Sequence, residues 1–284
     1  MSALGPQAGG RVVLLCTVRG CGLPLARAAT SARCAAGHSF DRARSGYWNL
    51  LQPQDRRSAK PGDSAPIVAA RRRLFDRGVA APLVAALAAH LEGRDSAGSS
   101  ALLDVGCGEG SILGALAGRL GCEAHGVDLS SAALRLAATS HPAATWVVAN
   151  ADRVLPYADG AFGAVLSITA RRPGAELRRV LDGDGLLIVA VPAEDDLAEL
   201  RASVLGEARA LGGGPGVGEE LAPWFEPRSD ETVRHRFVAD HAACSDLLLA
   251  TYRGQRTSQL AAGARLDALE LTSAQRLQTF QPRR

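Results

Sequence analysis

Four residues near the start of the chain have the types and spacing of a metal centre. Cys16 and Cys21 are separated by four residues, and Cys34 and His38 by three. Zinc takes four Cys or His ligands in a tetrahedron, and two close pairs on two turns supply them with little chain to order. Gly20 and Gly22 flank Cys21, and Gly37 precedes His38, so both turns can be tight. With four protein ligands no coordination position remains open. The metal implied is therefore a structural Zn2+, folding a segment too small to hold a core of its own. The opposing reading makes Cys16 a core residue after the apolar run at 12–15.

A second constellation is the stretch ALLDVGCGEGS, residues 101–111. It reads as a strand that ends in a glycine loop and opens a helix. Gly106, Gly108 and Gly110 are spaced G-x-G-x-G, and Ser111 stands where a dinucleotide fingerprint needs its third glycine. Asp104 precedes the loop, and Asp128 closes the next strand, where a carboxylate can grip a ribose. Together these suit a cofactor with a nucleoside and a cationic amino-acid tail, and no pyrophosphate. Cys107 lies inside the loop and reads as a packing residue rather than a nucleophile.

The elements needed to place these residues follow from the pattern of the chain. Residues 1–11 read as a tail, 12–51 as a small module of short strands and turns, and 52–64 as a polar linker. A helical pattern covers 65–92, with a break near Gly78 and Pro82. From residue 101 strand-like and helix-like stretches alternate, with helices expected at 112–120, 132–140, 175–181 and 196–211. Such alternation gives parallel strands with crossover helices, an α/β doubly wound sheet. Residues 212–218 read as a glycine-rich break, and the end of the chain as an antiparallel strand pair around a helix at 241–251. The reading divides the chain into 12–51, 52–64 and a large domain at 65–284.

Composition narrows the class of function. The chain has 284 residues, 47% of them hydrophobic, and no apolar run near the ~18 residues of a bilayer span. No secretory leader is legible, so a cytoplasmic protein with reduced cysteines is expected, where clustered cysteines favour metal over disulfides. The net charge of +3 hides a division. Residues 1–95 carry 14 Lys or Arg against 6 Asp or Glu; residues 96–284 carry 18 against 23. A local basic surface suits a polyanion such as nucleic acid, though arginine-rich codon usage would also produce it.

The strand, the acids and the glycine loop resemble the first motif of the class I, Rossmann-like S-adenosylmethionine methyltransferases. Residues 150–167 resemble the third and fourth motifs of that family, and 176–192 its fifth strand, with Gly163 in place of the usual acid. The resemblance implies a mostly parallel seven-stranded sheet. It implies cofactor contacts at Asp104, Gly106, Gly108, Gly110, Ser111, Asp128, Leu129, Asp152 and Ser167. The tetrapeptide of exocyclic-amine methyltransferases is missing: Ser167 to Ala170 read SITA there. No Pro-Cys pair of the cytosine-C5 enzymes occurs.

The order of the cysteine module, Gly46-Tyr47, Asn49-Leu50-Leu51, Pro61-Gly62-Asp63-Ser64, Ala70-Arg71-Arg72 and then the glycine loop is similar to a narrower group. It resembles the 23S ribosomal RNA (guanine-N1)-methyltransferase family, which includes the resistance enzymes of macrolide producers. That resemblance implies a zinc-ribbon module at Cys16, Cys21, Cys34 and His38 that reads an RNA hairpin, and a homodimer. Tyr47 and Trp48 are candidates to stack on an unpaired base, with packing of the module as the alternative. Arg71 and Arg72 are candidates for phosphate contacts, while Asp63 reads more readily as a turn cap than as a general base. The catalytic residue stays unassigned. Relatives commonly place a cofactor-holding tyrosine where Ala80 stands, and a histidine where Asp196 stands. A biosynthetic methyltransferase of small molecules and a non-catalytic cofactor- and RNA-binding protein are the rival functions.

Overall fold

A computed structural model describes residues 12–55, 62–93, 101–205, 216–251 and 268–283. The tail 1–11, residues 56–61 of the linker with Pro61, residues 94–100, residues 206–215 (the end of the helix expected at 196–211 and most of the glycine-rich break), residues 252–267 and residue 284 lie outside them. Three short strands form a small antiparallel sheet: β1 (Ala26–Arg27), β2 (Ser31–Arg33) and β3 (Ser39–Asp41). β4 (Trp48–Asn49) follows. Two helices come next, α1 (Ala65–Asp76) and α2 (Ala81–Leu91). Both carry proline in their first turn, where the missing N–H costs nothing. The chain breaks between them at Gly78, as the sequence pattern suggested.

The alternating region is β5 (Leu102–Val105), α3 (Ser111–Leu120), β6 (Ala124–Asp128), α4 (Ser131–Ser140), β7 (Thr145–Val148), β8 (Phe162–Ile168), α5 (Gly174–Val180) and β9 (Leu181–Pro192). The last part holds α6 (Ala198–Leu205), α7 (Val217–Leu221), β10 (Phe225–Asp240), α8 (His241–Thr251) and β11 (Ala268–Pro282). Ser130 caps α4, its hydroxyl accepting from the Ala133 N–H at 3.2 Å.

The large sheet runs in the order β10-β11-β9-β8-β5-β6-β7-β4. Strands from β4 to β9 are parallel to their neighbours, while β11 is antiparallel to β9 and to β10. This is the mostly parallel class I arrangement with the late antiparallel pair. It has eight strands where seven were expected, because Trp48 pairs with Val147 and Asn49 with Val148 along the outer edge of β7. The sequence offered two residues too few to read as a strand; the open edge of β7 makes them one.

β5 and β8 are adjacent, and the chain leaves β5 towards β6 on the other side. The crevice at the carboxyl ends of these strands is the switch point where such sheets bind ligands. Apolar residues of the cysteine module, including Leu14, Leu25, Ala32 and Phe40, share one buried cluster with Leu103, Val147 and Tyr157 of the large domain. The small module therefore shares the core of its larger neighbour. On the opposite face Leu87, Leu113, Leu134 and Trp146 pack together, and α1 packs on α8 through Ala70, Leu74 and Leu247. No single helix among the described residues is long and apolar enough to cross a membrane.

Candidate functional sites

Two turns bring the four metal-type residues together. The Cys21 N–H donates to Val18 O at 3.0 Å, and the Gly37 N–H to Cys34 O at 2.9 Å. Gly37 sits at φ +87°, a left-handed conformation that places His38 back against Cys34. All four ligand atoms lie within 4.8 Å of one another. Cys34 Sγ is 3.4 Å from His38 Nδ1, Cys16 Sγ is 3.5 Å from the same nitrogen, and the Cys21 and Cys34 sulfurs are 3.8 Å apart. A tetrahedral zinc site has S···S edges of about 3.8 Å and S···N edges of about 3.5 Å, from bond lengths of roughly 2.3 and 2.05 Å. The donors fit that ion, and the sulfurs are too far apart for a disulfide.

At the crevice a cavity of about 890 Å³ opens. Its wall includes Asp104, Gly106, Gly108, Asp128, Leu129 and Asp152, six of the positions expected to bind the cofactor. The loop is pinned to β6 by the Gly106 N–H donating to Val127 O at 2.8 Å. Asp128 accepts from the N–H of Gly108 at 2.9 Å and of Ser130 at 2.7 Å, which ties the glycine loop to the start of α4. A Cβ on Gly106 would come within 2.4 Å of Ala170 Cβ, and its φ of +80° disfavours any side chain. The glycine keeps this cradle open.

Asp104 is 2% exposed, and its Oδ1 has no hydrogen-bond partner among the described residues. Burial, with help from the nearby Asp128 and Glu109 carboxylates, pushes its pKa up to about 8. Burial also raises Asp128, against the pull of its two backbone donors. A buried acceptor without a donor, on a cavity wall, asks for a cationic or donor-bearing ligand. The ammonium and sulfonium of S-adenosylmethionine meet that need, so the residues fit the cofactor. Burial pushes the Cys107 thiol well above its ordinary value, so it is a packing group rather than a thiolate.

Several expected contacts lie elsewhere. A Cβ on Gly110 would meet the Trp146 ring at 2.4 Å, so this glycine permits helix-to-strand packing. The Ser111 hydroxyl and N–H both donate to the Glu109 carboxylate. Ser167 is fully buried within β8, and Ile168, Thr169 and Ala170 form the wall in its place. Alternation along the strand turns Ser167 away. Thr169 holds a φ of +50° there, uncommon for a branched side chain.

The expected RNA contacts also divide. Trp48 is 5% exposed, with the Arg42 guanidinium 5.4 Å from its ring centroid, so it is a core residue and not a platform for a base. Tyr47 is only half-buried. Arg72 pairs with Asp76 one turn along α1 at 2.9 Å. Arg71 lines the cavity instead of the outer surface. Sequence reading missed that role, although Arg71, Leu74 and Phe75 share a helix face and all reach the wall. Asp63 also lines the cavity and pairs with Arg71 at 2.5 Å. Ala80 and Asp196, the two departures from the relatives' pattern, both belong to the wall. Asp196 is 7% exposed and accepts from Ala274 N–H at 2.7 Å.

Comparison with known proteins places both parts of the chain. A family model described as "RlmA, N-terminal", a zinc ribbon, matches residues 16–59, and one described as "Methyltransferase domain" matches 102–185. The chain is 38% identical over 229 residues to a 23S rRNA (guanine(748)-N(1))-methyltransferase of Streptomyces fradiae, covering 78% of this chain and 79% of that protein. It is 33% identical over 294 residues to a protein of Micromonospora griseorubida, covering 92% of this chain and 95% of the relative. That relative's name provisionally gives 23S rRNA (guanine-N(1)-)-methyltransferase.

Proposed function

Since the chain belongs to the 23S rRNA (guanine-N1)-methyltransferase family, we propose that it transfers a methyl group from S-adenosylmethionine to N1 of a guanine in a hairpin of 23S ribosomal RNA. The observation that carries this reading is the shared core between the zinc ribbon and the sheet that bears the cofactor cavity. A methyltransferase of small metabolites has no use for such a module. The second relative is covered over 95% of its length.

The bound cofactor supplies an electrophilic methyl carbon, and the chain supplies position and environment. Asp104 and Asp128 hold the cationic and ribose parts, and the glycine loop lets the backbone come close. Leu74, Phe75, Leu83 and Ile168 give the cavity an apolar side that keeps water from the reacting centre. In-line displacement draws most of its rate from this alignment. Tyr47, half-buried, and Arg44, exposed, stand beside the tight turn closed by the Ala43 N–H donating to Tyr47 O at 2.9 Å. These two are the module's residues for an unpaired base and a phosphate. A homodimer acting in the cytoplasm completes the reading, and antibiotic resistance would follow if the methylated guanine lies at a drug site.

The test is incubation with labelled S-adenosylmethionine and unmethylated 23S fragments, followed by nucleoside mass analysis. N1-methylguanine is the expected product. N2-methylguanine, or transfer to small metabolites alone, overturns the proposal.

A further inference from the structure

We propose that Arg71 binds the carboxylate of the cofactor's amino-acid tail and is not an RNA phosphate contact; this rests on the cavity being the S-adenosylmethionine site. The first observation is placement. Arg71 lies on the cavity wall, with Nη1 3.9 Å from where a Cβ of Gly108 would stand. A ligand lying along the glycine loop passes within reach of the guanidinium.

The second observation is that the guanidinium is fixed in advance. Nη1 donates to Asp63 Oδ2 at 2.5 Å, and Nη2 donates to Ala250 O, in the last turn of α8, at 3.3 Å. Asp63 is itself pinned, because the Ser130 hydroxyl donates to its carbonyl at 2.7 Å. Gly62 lies so close that a Cβ there would fall 2.7 Å from Ser130. Arg71 is thus held from the 62–64 segment and from α8, at the point where both meet the glycine loop. A guanidinium has five N–H donors in a rigid fork, and these two bonds leave others for a carboxylate.

The third observation is charge balance. The cofactor carries two cationic centres and one carboxylate. Asp104 suits the cationic part and Asp128 the ribose, so the carboxylate needs a cation near the loop. The wall holds two other arginines. Arg171, mostly exposed, pairs with Asp152 at 2.9 Å. Arg201 donates to the main-chain carbonyls of Asp196 and Glu194. Arg71 also acts electrostatically on both Asp128 and Glu109, which places its charge at the loop.

Calorimetry of the full-length protein with three ligands tests this: S-adenosylmethionine, its decarboxylated form, and 5′-methylthioadenosine, which lacks the whole tail. Wild type should bind the complete cofactor more tightly than the decarboxylated form. Arg71→Ala should lose about 10- to 100-fold for the complete cofactor, the range of a lost charge-assisted bond, and almost nothing for the other two. Arg71→Lys should fall between, since a point charge replaces the fork. An equal loss for all three ligands would make Arg71 merely structural and overturn the proposal. So would unchanged affinity for the complete cofactor. If wild type binds none of the three, the cofactor reading itself fails.

Discussion

Arg153 and Asp55 form an ion pair of 2.7 Å in which the Asp55 side chain is 3% exposed. Asp55 follows the module and Arg153 follows β7, so the pair ties the two parts of the chain together. Arg153 also donates to the carbonyl of Thr17, one residue past a zinc-type ligand. Replacing Arg153 by Leu leaves a buried carboxylate whose other cation, Arg19, stands 3.8 Å away. Removing one partner of a buried pair costs about 3 kcal/mol. Denaturant unfolding should show a loss of that order, and a change within ~0.5 kcal/mol would mean the tie contributes little.

The zinc site predicts metal content directly. Purified protein should carry about one zinc per chain. Cys34→Ser should release it and speed hydrogen exchange across residues 12–51, because the module loses the ion that orders it. Full protection of that segment in metal-free wild type would show that the shared core alone suffices.

Gly106 predicts a separable defect. Gly106→Arg places a side chain in the cradle, where a Cβ alone would stand 2.4 Å from Ala170. Calorimetry should detect no S-adenosylmethionine binding, while zinc content stays at the wild-type value. Wild-type affinity in this variant would remove the glycine loop from the cofactor site.

Asp104 predicts a pH dependence of the cofactor-free protein. Its pKa stands at about 8 in the folded chain against an ordinary value of 3.8. Between roughly pH 4 and 8 the folded chain keeps a proton that the unfolded chain has lost. Stability therefore falls as pH rises through that window and levels off above it. Asp104→Asn should flatten the slope. Denaturation midpoints measured from pH 5 to 9 decide the matter; parallel curves for the two proteins would assign the slope to another group.

RNA binding should depend on the module rather than on α1. Replacing Tyr47 and Arg44 by Ala should weaken binding to a 23S hairpin fragment and lower its salt slope by about one, for one lost phosphate contact. Cofactor affinity should not change. A salt slope identical to wild type would move the RNA contact away from this turn.

Much of this protein is written in short-range pattern. The spacing of Cys16, Cys21, Cys34 and His38, the alternation from residue 101, and the strand–loop–helix around Gly106 and Gly108 each depend on neighbours in sequence. Local periodicity and turn chemistry suffice to read them. The tertiary structure decided what depends on distant partners. Trp48 is a strand residue because β7 has an open edge, and it is buried because the module shares the core of the sheet. Ser167 and Gly110 match a motif, yet one is fully buried in β8 and the other packs against Trp146. A motif fixes residue types, whereas strand pleat and helix packing fix which side chains reach the ligand. Arg71 belongs to a basic run whose composition suits RNA, but Asp63 and Ala250, the latter 179 residues away, turn it into the cavity. Charge can be counted along a chain; the direction in which a charge points is set by the groups that fold against it.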